Sequence, residues 1–220
     1  MIRFPPGRVT AWLLLAWIVA VLGFVVMAGF ASADDRFAGD RWVTEKVQDV
    51  HGEAIAKTLD YTADFGDLPL VVVAAALAGA VAARFASWVD GALIVGSLAS
   101  RGVNSVVKEI VGRPRPSGSL VHISTSQPTS PSFPSGHSDT VFVLFGFIFY
   151  LAAVYIKDIR LRLAVQAVSL WVIIFTGIQR VHVGDHWPSD VLGGYYLGAL
   201  MLAGLIALEW LVRSRVRGVS

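Results

Sequence analysis

The stretch PSFPSGHSDTVFVLFGF, from Pro131 to Phe147, joins a polar turn to a strongly apolar run. The turn contains a histidine, hydroxyl groups and a carboxylate, and the apolar run extends from Thr140 to Ile156. A helix needs about 20 mostly apolar residues to cross a bilayer, and this run is close to that length. The join therefore predicts a membrane helix with reactive side chains at its mouth.

Composition supports the membrane class. The chain has 220 residues, of which 55% are hydrophobic and only 15% are charged, whereas about 25% of the residues of a soluble domain are charged. Its length favours one domain over residues 1–220. The net charge of +2 comes from scattered basic residues, which is not a nucleic-acid-binding pattern. The absence of cysteine excludes disulfides, thiolate metal sites and a cysteine nucleophile.

Six apolar runs predict an all-α fold, a bundle of six transmembrane helices. The runs are Val9 to Phe30, Leu68 to Phe85, Gly91 to Val111, Thr140 to Ile156, Leu161 to Ile178 and Val191 to Val212. The first run ends in small residues that resemble a signal-peptide cleavage site, but its length favours a retained helix.

The third run carries polar residues along one helical face. Ser97, Arg101, Asn104 and Lys108 follow one another at spacings of four, three and four. Charged side chains at membrane depth normally face a bundle interior or a watery cavity. Snorkelling from a helix end is the alternative, and it suits Lys108 better than Arg101. We therefore expect a polar stripe that faces inward.

The distribution of lysine and arginine predicts the orientation. Basic residues occur at both chain ends and in the second and fourth connections: Arg3, Arg8, Arg84, Lys157, Arg160, Arg162, Arg213, Arg215 and Arg217. These segments should be cytoplasmic in a multi-pass protein of the cell membrane. The outer side then holds residues 34–67, 112–137 and 179–190. In the first of these, a short interfacial helix and an ordered loop packed on the bundle are both open.

Three polar segments thus meet on the outer side. They are KEIVGRPRP from Lys108 to Pro116, the PSGHSD turn, and QRVHVGDHWPSD from Gln179 to Asp190. Together they bring one lysine and three arginines to two or more histidines. Phosphoryl transfer needs such a set, because cations neutralise the phosphoryl oxygens while one imidazole attacks and another protonates the leaving oxygen.

Spacing within these segments indicates separate tasks. Asp190 follows His186 by four residues, at a distance from which its carboxylate can orient the imidazole and leave the other nitrogen free to attack. Ser135 and Gly136 precede a predicted helix start, where backbone N–H groups and the helix dipole favour an anion. The PSGHSD turn therefore predicts a phosphate-binding site with an adjacent proton donor.

At these motifs the sequence resembles the type 2 phosphatidic acid phosphatase superfamily. Its pattern K-x6-R-P matches Lys108, Arg115 and Pro116, its P-S-G-H matches residues 134–137, and its S-R-x5-H-x3-D matches Arg180, His186 and Asp190. The resemblance implies a metal-independent phosphatase, without a cofactor, that forms a phosphohistidine. It implies His186 as nucleophile, Asp190 as its orienting partner and His137 as general acid. It implies these phosphate-binding residues: Lys108, Arg115, Ser135, Gly136 and Arg180.

Two positions depart from a simple match to the family. Gln179 stands where the family usually has serine, and Arg113 offers a second arginine–proline pair at the wrong spacing. We take Arg115 as the phosphate-binding arginine and Arg113 as a flanking cation. Three more residues are candidates to support the site from behind: Arg101, Asp139 and His182. Arg101 is expected at the floor of the site, paired either with Asp139 or with a second phosphate.

The sequence thus favours a phosphatase that acts on a lipid phosphate or diphosphate at the outer leaflet. Undecaprenyl diphosphate, phosphatidylglycerophosphate and phosphatidate all fit, with the polyprenyl diphosphate preferred because the site faces outward. No protein partner is implied beyond the lipid substrate and the bilayer. A lipid phosphotransferase would use the same residues, and a transporter or channel is the alternative from a different class. The absence of an inverted repeat argues against the transporter.

Overall fold

The structure, a computed structural model, describes residues 8–50, 52, 57–59, 61, 67–124 and 126–218. Arg3 of the predicted cytoplasmic amino end lies outside this part, and so do Glu53, Asp60 and Asp64 of the first predicted outer segment. Most of the described residues are helical and none of them forms a strand, which confirms the all-α prediction. The helices are α1 Arg8–Ala33, α2 Asp40–Gln48, α3 Leu68–Phe85, α4 Trp88–Gly96, α5 Ser100–Val111, α6 Gly136–Tyr155, α7 Ile159–His182 and α8 Pro188–Gly218.

Four helices are long and apolar enough to cross a membrane: α1, α6, α7 and α8. Helix α3 contains a shorter apolar segment, Pro69–Phe85. Large apolar side chains on α1 are exposed, including Trp12 at 70% and Leu14 at 58%. Such a surface is stable when it faces lipid and costly when it faces water. The chain is therefore a membrane protein, with four of the six predicted runs long enough to span it as single helices.

The third predicted run is not one helix. It divides into α4, a 3₁₀ turn over Ser97–Ala99, and α5. At the division the hydroxyl of Ser97 donates to the carbonyl of Ile94 at 2.6 Å. Gly112 directly follows the last residue of α5 and caps the helix. Its φ of 64° is the left-handed conformation that suits glycine. The continuous span predicted from Gly91 to Val111 is thus replaced by two consecutive helices.

The polar stripe on this run does face inward. Ser97, Asn104 and Lys108 are buried, and Arg101 lines an internal cavity. Burial of a lysine is costly unless carbonyls or carboxylates receive its ammonium protons. The expected inward orientation is confirmed, and α5 becomes one wall of a polar site.

Two clusters of buried apolar residues hold the helices together. One joins α3, α4, α6 and α7 through side chains such as Val71, Ile94 and Phe147. The other joins α1 and α8 to the chain before α6, with Phe24 and Phe133 as its aromatic members. Its other buried residues are Ala31, Val111, Leu197 and Leu200. The polar motifs are attached to the ends of these packed helices, so their relative positions are fixed by the core.

Close packing of α8 against α6 depends on glycine. A Cβ added to Gly194 would lie 2.5 Å from the carbonyl oxygen of Ser135, and one added to Gly198 would lie 2.9 Å from Cβ of Phe142. These contacts are too short for any side chain at either glycine. The lack of a side chain at both positions therefore lets the start of α6 lie directly against α8.

The motif segments meet at one end of the bundle. The amide of Ser132 donates to the carbonyl of Arg113 at 2.7 Å, and the amide of Ser135 donates to the carbonyl of Asp190 at 2.9 Å. These bonds join the loop after α5, the start of α6 and the start of α8. The three segments therefore share one side of the protein, as the sequence predicts.

At the opposite end of the bundle, hydrogen bonds and ion pairs between polar side chains join three helices. Tyr155 donates to the carboxylate of Asp90 at 3.0 Å, and Arg213 contacts both Asp90 and Glu209. The start of α4, the end of α6 and the tail of α8 meet here. The connections that carry basic residues, such as Arg84 and Lys157, thus lie at the opposite end of the bundle from the three motif segments.

Helix α2 answers the question left open for the first outer segment. It packs against α7 and α8 and buries Asp40 and Thr44, while Trp42 is 63% exposed. The carboxylate of Asp40 accepts the backbone N–H of Ser189 at 3.0 Å. The segment is therefore a short helix that is also anchored on the bundle, directly behind the motif residues.

Candidate active site

A cavity of about 250 Å³ opens where the motif segments meet. It contains most of the residues predicted to bind phosphate and both predicted catalytic histidines. Its lining residues are Arg101, Asn104, Ser105, Lys108, Glu109, Arg115, Pro128, Ser130, Gly136, His137 and His186. Three cations and two imidazoles therefore face one small volume, a combination suited to a phosphate group.

His186 lies in the turn before α8, and Ser132 separates it from Asp190. Its Nδ1 is 3.3 Å from Oγ of Ser132 and 3.6 Å from Oδ2 of Asp190. The Ser132 hydroxyl donates its one proton to Asp190 at 2.5 Å, so its oxygen is left to accept Nδ1–H. The carboxylate thus orients the imidazole mainly through a serine that the motif reading did not include.

This arrangement leaves Nε2 of His186 unprotonated. Nε2 lies 3.4 Å from Nη1 of Arg115, on the cavity side. Burial lowers the pKa of His186 to about 3, with the nearby Asp190 acting in the opposite direction. The imidazole is therefore neutral at physiological pH, which is the form that can attack phosphorus.

Asp190 is held on both oxygens. Oδ2 accepts the backbone N–H of Trp187 at 2.8 Å as well as the Ser132 hydroxyl. Oδ1 accepts Nη1 of Arg113 at 2.6 Å. Both side chains of the Arg113–Asp190 pair are fully buried. A carboxylate fixed in this way cannot swing away from His186.

Arg113 has a different role from the expected flanking cation. Its guanidinium also contacts Asp40 at 3.1 Å and Ser189 at 2.8 Å, so it links α2 to the start of α8. Arg113 does not line the cavity. It is a buried counterion of Asp190, and the flanking role is corrected accordingly. Asp40, the second carboxylate partner of Arg113, is 150 residues from Asp190 in sequence, so no local spacing predicts that the two carboxylates share this arginine.

Arg115 and Lys108 face the cavity from two sides. Arg115 donates to the carbonyl of Asp185 at 2.8 Å, and burial lowers its pKa from the usual value. Nζ of Lys108 donates to the carbonyls of Pro131 at 2.6 Å and Ser132 at 3.2 Å. These backbone oxygens hold the lysine in place in the cavity that His186 also lines.

The start of α6 supplies a helix N-terminus to the cavity. Ser135 is fully buried, and its hydroxyl accepts the amide of Ser138 as an N-cap, while its own N–H donates to Asp190. Its polar groups therefore have partners within the protein. Gly136 lines the cavity, and a Cβ there would lie 3.2 Å from Oδ1 of Asn104. Of this predicted pair, Gly136 is placed to contact a ligand and Ser135 to hold the turn.

His137 occupies the first turn of α6 and has two charged neighbours. Its Nε2 is 2.9 Å from Oδ1 of Asp67 and 3.5 Å from Nη1 of Arg180. Arg180 is in turn held by Gln179 at 2.5 Å and Asp185 at 3.2 Å. Gln179, the departure from the family pattern, therefore orients Arg180. Asp67 is the neighbour that motif reading missed.

Arg101 lines the cavity, whereas Asp139 does not. The two side chains interact electrostatically. Asp139 is fully buried, and neither of its carboxylate oxygens has a hydrogen-bond partner among the described residues. The structure thus brings the pair together in one region without a direct hydrogen bond.

His182 lies elsewhere. It lines a separate cavity of about 570 Å³ at the end of the bundle that carries the motif segments, together with His122 and Gln48. No other predicted site residue lines that cavity within the described part of the chain. Its backbone carbonyl accepts the side chain of Gln48 at 3.1 Å, so His182 helps to anchor the end of α2.

Sequence comparison identifies related proteins. Phosphatidylglycerophosphatase B of Bacillus subtilis (strain 168) is 35% identical over 137 residues, which are 61% of this chain and 63% of that protein. A lipid A 1-phosphatase of Rhizobium johnstonii is 34% identical over 123 residues, 53% of this chain and 46% of that protein. The matched part of the chain spans less than two thirds of the length of either relative.

The fold also has a solved counterpart. The crystal structure of a transmembrane PAP2-type phosphatidylglycerolphosphate phosphatase from Bacillus subtilis is similar with a TM-score of 0.75. The match covers 88% of this chain and 95% of that chain at 22% identity. The family model of the PAP2 superfamily matches residues 71–214, a segment that contains all three motifs. The chain therefore belongs to the PAP2 superfamily, the superfamily that its motifs resemble.

Proposed function

We propose that this protein is a lipid phosphatase that removes phosphate through a phosphohistidine on His186, without a metal ion. The observation that carries the proposal is the single small cavity in which Nε2 of His186 faces Arg115 and Lys108. Both curated relatives are named as phosphatases of phosphorylated lipids, which supports the same substrate class here.

The reaction has two steps, phosphoryl transfer to His186 and hydrolysis of the phosphohistidine. Nε2 of His186 forms a bond to phosphorus as the bond to the leaving oxygen breaks, and that oxygen takes a proton from His137. A water oxygen then forms a bond to phosphorus as the bond to Nε2 of His186 breaks, which releases inorganic phosphate and regenerates the imidazole, and His137 takes back a proton from the water. Arg115, Lys108 and the start of α6 stabilise the charge on the phosphoryl oxygens. Ser132 and Asp190 keep the His186 proton on Nδ1 throughout.

The size of the cavity indicates which part of a lipid substrate enters it. At about 250 Å³ it is smaller than the roughly 300–1,000 Å³ of pockets that enclose a drug-sized ligand. We infer that only the phosphorylated head group enters and that the acyl or prenyl chains stay in the bilayer. Undecaprenyl diphosphate, phosphatidylglycerophosphate and phosphatidate are candidates of this kind.

We also propose a six-span topology in which α4 and α5 together make one crossing. Both chain ends then lie in the cytoplasm and the cavity opens at the outer face of the cell membrane. The basic residues at the end opposite the cavity, such as Arg84, Lys157 and Arg213, support this orientation.

A phosphate-release assay on the detergent-purified chain tests the function. We expect release from phosphatidylglycerophosphate, phosphatidate or undecaprenyl diphosphate at a rate that EDTA does not change. Vanadate should inhibit, because its trigonal-bipyramidal form resembles the transition state. A rate that EDTA abolishes and zinc or magnesium restores would contradict the metal-free mechanism. No release from any of the three lipids would contradict the function.

The His137→Ala variant tests the assignment of the acid. A lipid alcohol is a poor leaving group and needs a proton, whereas p-nitrophenolate leaves without one. We expect turnover of phosphatidate to fall roughly 10²–10⁴-fold, the contribution of a general acid, and turnover of p-nitrophenyl phosphate to fall far less. Equal losses on the two substrates would show that His137 binds phosphate and does not donate a proton.

A further inference from the structure

Asp67 is a carboxylate that contacts the proposed acid from a distant part of the chain. It is the residue before α3, and its Oδ1 lies 2.9 Å from Nε2 of His137 in the first turn of α6. The Asp67 side chain is 55% exposed, whereas that of His137 is 21% exposed. An exposed pair of this kind adds little to the stability of the fold. Its contact is with His137, which lines the cavity, and this points to a role in the reaction.

The surroundings of His137 explain why a carboxylate is useful there. Nη1 of Arg180 is 3.5 Å from Nε2, and Arg101 and Lys108 line the same cavity. These cations disfavour a protonated imidazole, which is the form that a general acid needs. Among the described residues, Asp67 is the carboxylate within hydrogen-bond distance of the ring.

Asp67 is suited to this task because it is ionised. The hydrogen bond with His137 lowers the pKa of the Asp67 carboxyl from its usual value, against the opposing effect of partial burial. The other ring nitrogen of His137, Nδ1, has no hydrogen-bond partner within the described part of the chain.

Building on the proposed function, we propose that Asp67 is a positioning residue for His137. Its carboxylate accepts Nε2–H, favours the protonated ring, and leaves the Nδ1 proton for the leaving group. When the bond between phosphorus and the leaving oxygen breaks, its electron pair stays on the oxygen, which takes that proton. The neutral ring recovers a proton from the water that hydrolyses the phosphohistidine. The relation between Asp67 and His137 thus parallels that between Asp190 and His186.

The Asp67→Asn variant isolates the charge, since asparagine can still accept a hydrogen bond from Nε2–H. We expect kcat on phosphatidate to fall about 10- to 100-fold, part of the ~10²–10⁴-fold that a general acid supplies. The kcat on p-nitrophenyl phosphate and both KM values should change little. The alkaline limb of the kcat profile on phosphatidate should move to lower pH, and Asp67→Glu should restore part of the rate.

Asp49→Asn is the matched control, because Asp49 is an exposed outer carboxylate whose partner is Lys46. It removes the same charge from the same end of the protein and should leave both rates and the pH profile unchanged. An Asp67→Asn variant with unchanged turnover, or with equal losses on both substrates, overturns the inference. A lower KM with faster turnover also overturns it, because Asp67 would then compete with phosphate. Wild-type protein that releases no phosphate overturns the proposed function and the inference together.

Discussion

Replacing His186 with alanine is expected to reduce phosphate release by at least about 1,000-fold, the order of loss that follows removal of a catalytic nucleophile. In the structure its Nε2 faces the cavity while Nδ1 is fixed by Ser132 and Asp190. The other cavity imidazole, His137, is engaged with Asp67. The measurement is turnover on phosphatidylglycerophosphate and phosphatidate, with monodispersity in detergent as the test of folding.

Two further variants make the His186 result specific. His186→Gln retains most of the side-chain volume, so it separates loss of the nucleophile from loss of packing around a buried residue. His122→Ala removes an exposed histidine of the loop between α5 and α6, which does not line the 250 Å³ cavity, and should keep wild-type turnover. A phosphohistidine is labile in acid and stable in base, so rapid alkaline quenching with ³²P-labelled substrate should trap labelled protein in the wild type and none in either His186 variant. Turnover within tenfold of wild type in His186→Gln or His186→Ala would refute the assignment.

Replacing Arg113 with alanine is expected to destabilise the protein by about 3–5 kcal/mol. Arg113 is fully buried and pairs with Asp40 and Asp190, so its removal leaves two buried carboxylates without their counterion. For a chain of this size such a loss lowers the melting temperature by on the order of 10 °C. Turnover should fall as well, because Asp190 loses the contact on Oδ1.

Arg115→Ala is the control for this prediction. Arg115 lies two residues away but faces the cavity, where its guanidinium contacts backbone carbonyls and His186. Among the described residues, no buried carboxylate forms a hydrogen bond with it. Its replacement should weaken phosphate binding and turnover and leave the melting temperature close to that of the wild type. If Arg113→Ala and Arg115→Ala lower the melting temperature equally, Arg113 is not the buried counterion that its contacts indicate.

The fold was predictable where apolar length and local residues decide it. The runs that became α1, α6, α7 and α8 are apolar enough to specify helices without reference to the rest of the chain. Ser135 and Pro188 mark the starts of α6 and α8 as expected from capping chemistry. The division of the third run at Ser97–Ala99 was not predictable, because hydropathy does not show where a helix changes its hydrogen bonding.

The site was predictable to the extent that its residues lie close together in sequence. Spacing placed Lys108 and Arg115 together, and His186 with Asp190, because each group falls on one helix end or one turn. Spacing separated Arg115 from Arg113, but it did not show that Arg113 is a buried counterion, because its partners Asp40 and Asp190 are more than 70 residues away in sequence. Arg113 points to buried carboxylates and Arg115 to the cavity.

The sequence by itself determined a membrane protein of helices with three motifs at one end, because apolar length and short spacings act locally. Only the tertiary structure decided the contacts that complete the site. Asp67 reaches His137 across 70 residues, and Asp40 reaches Arg113 across 73. Such contacts depend on how the helices pack, and packing is set by the shapes of many side chains together, including the close approach of α8 to α6 at Gly194.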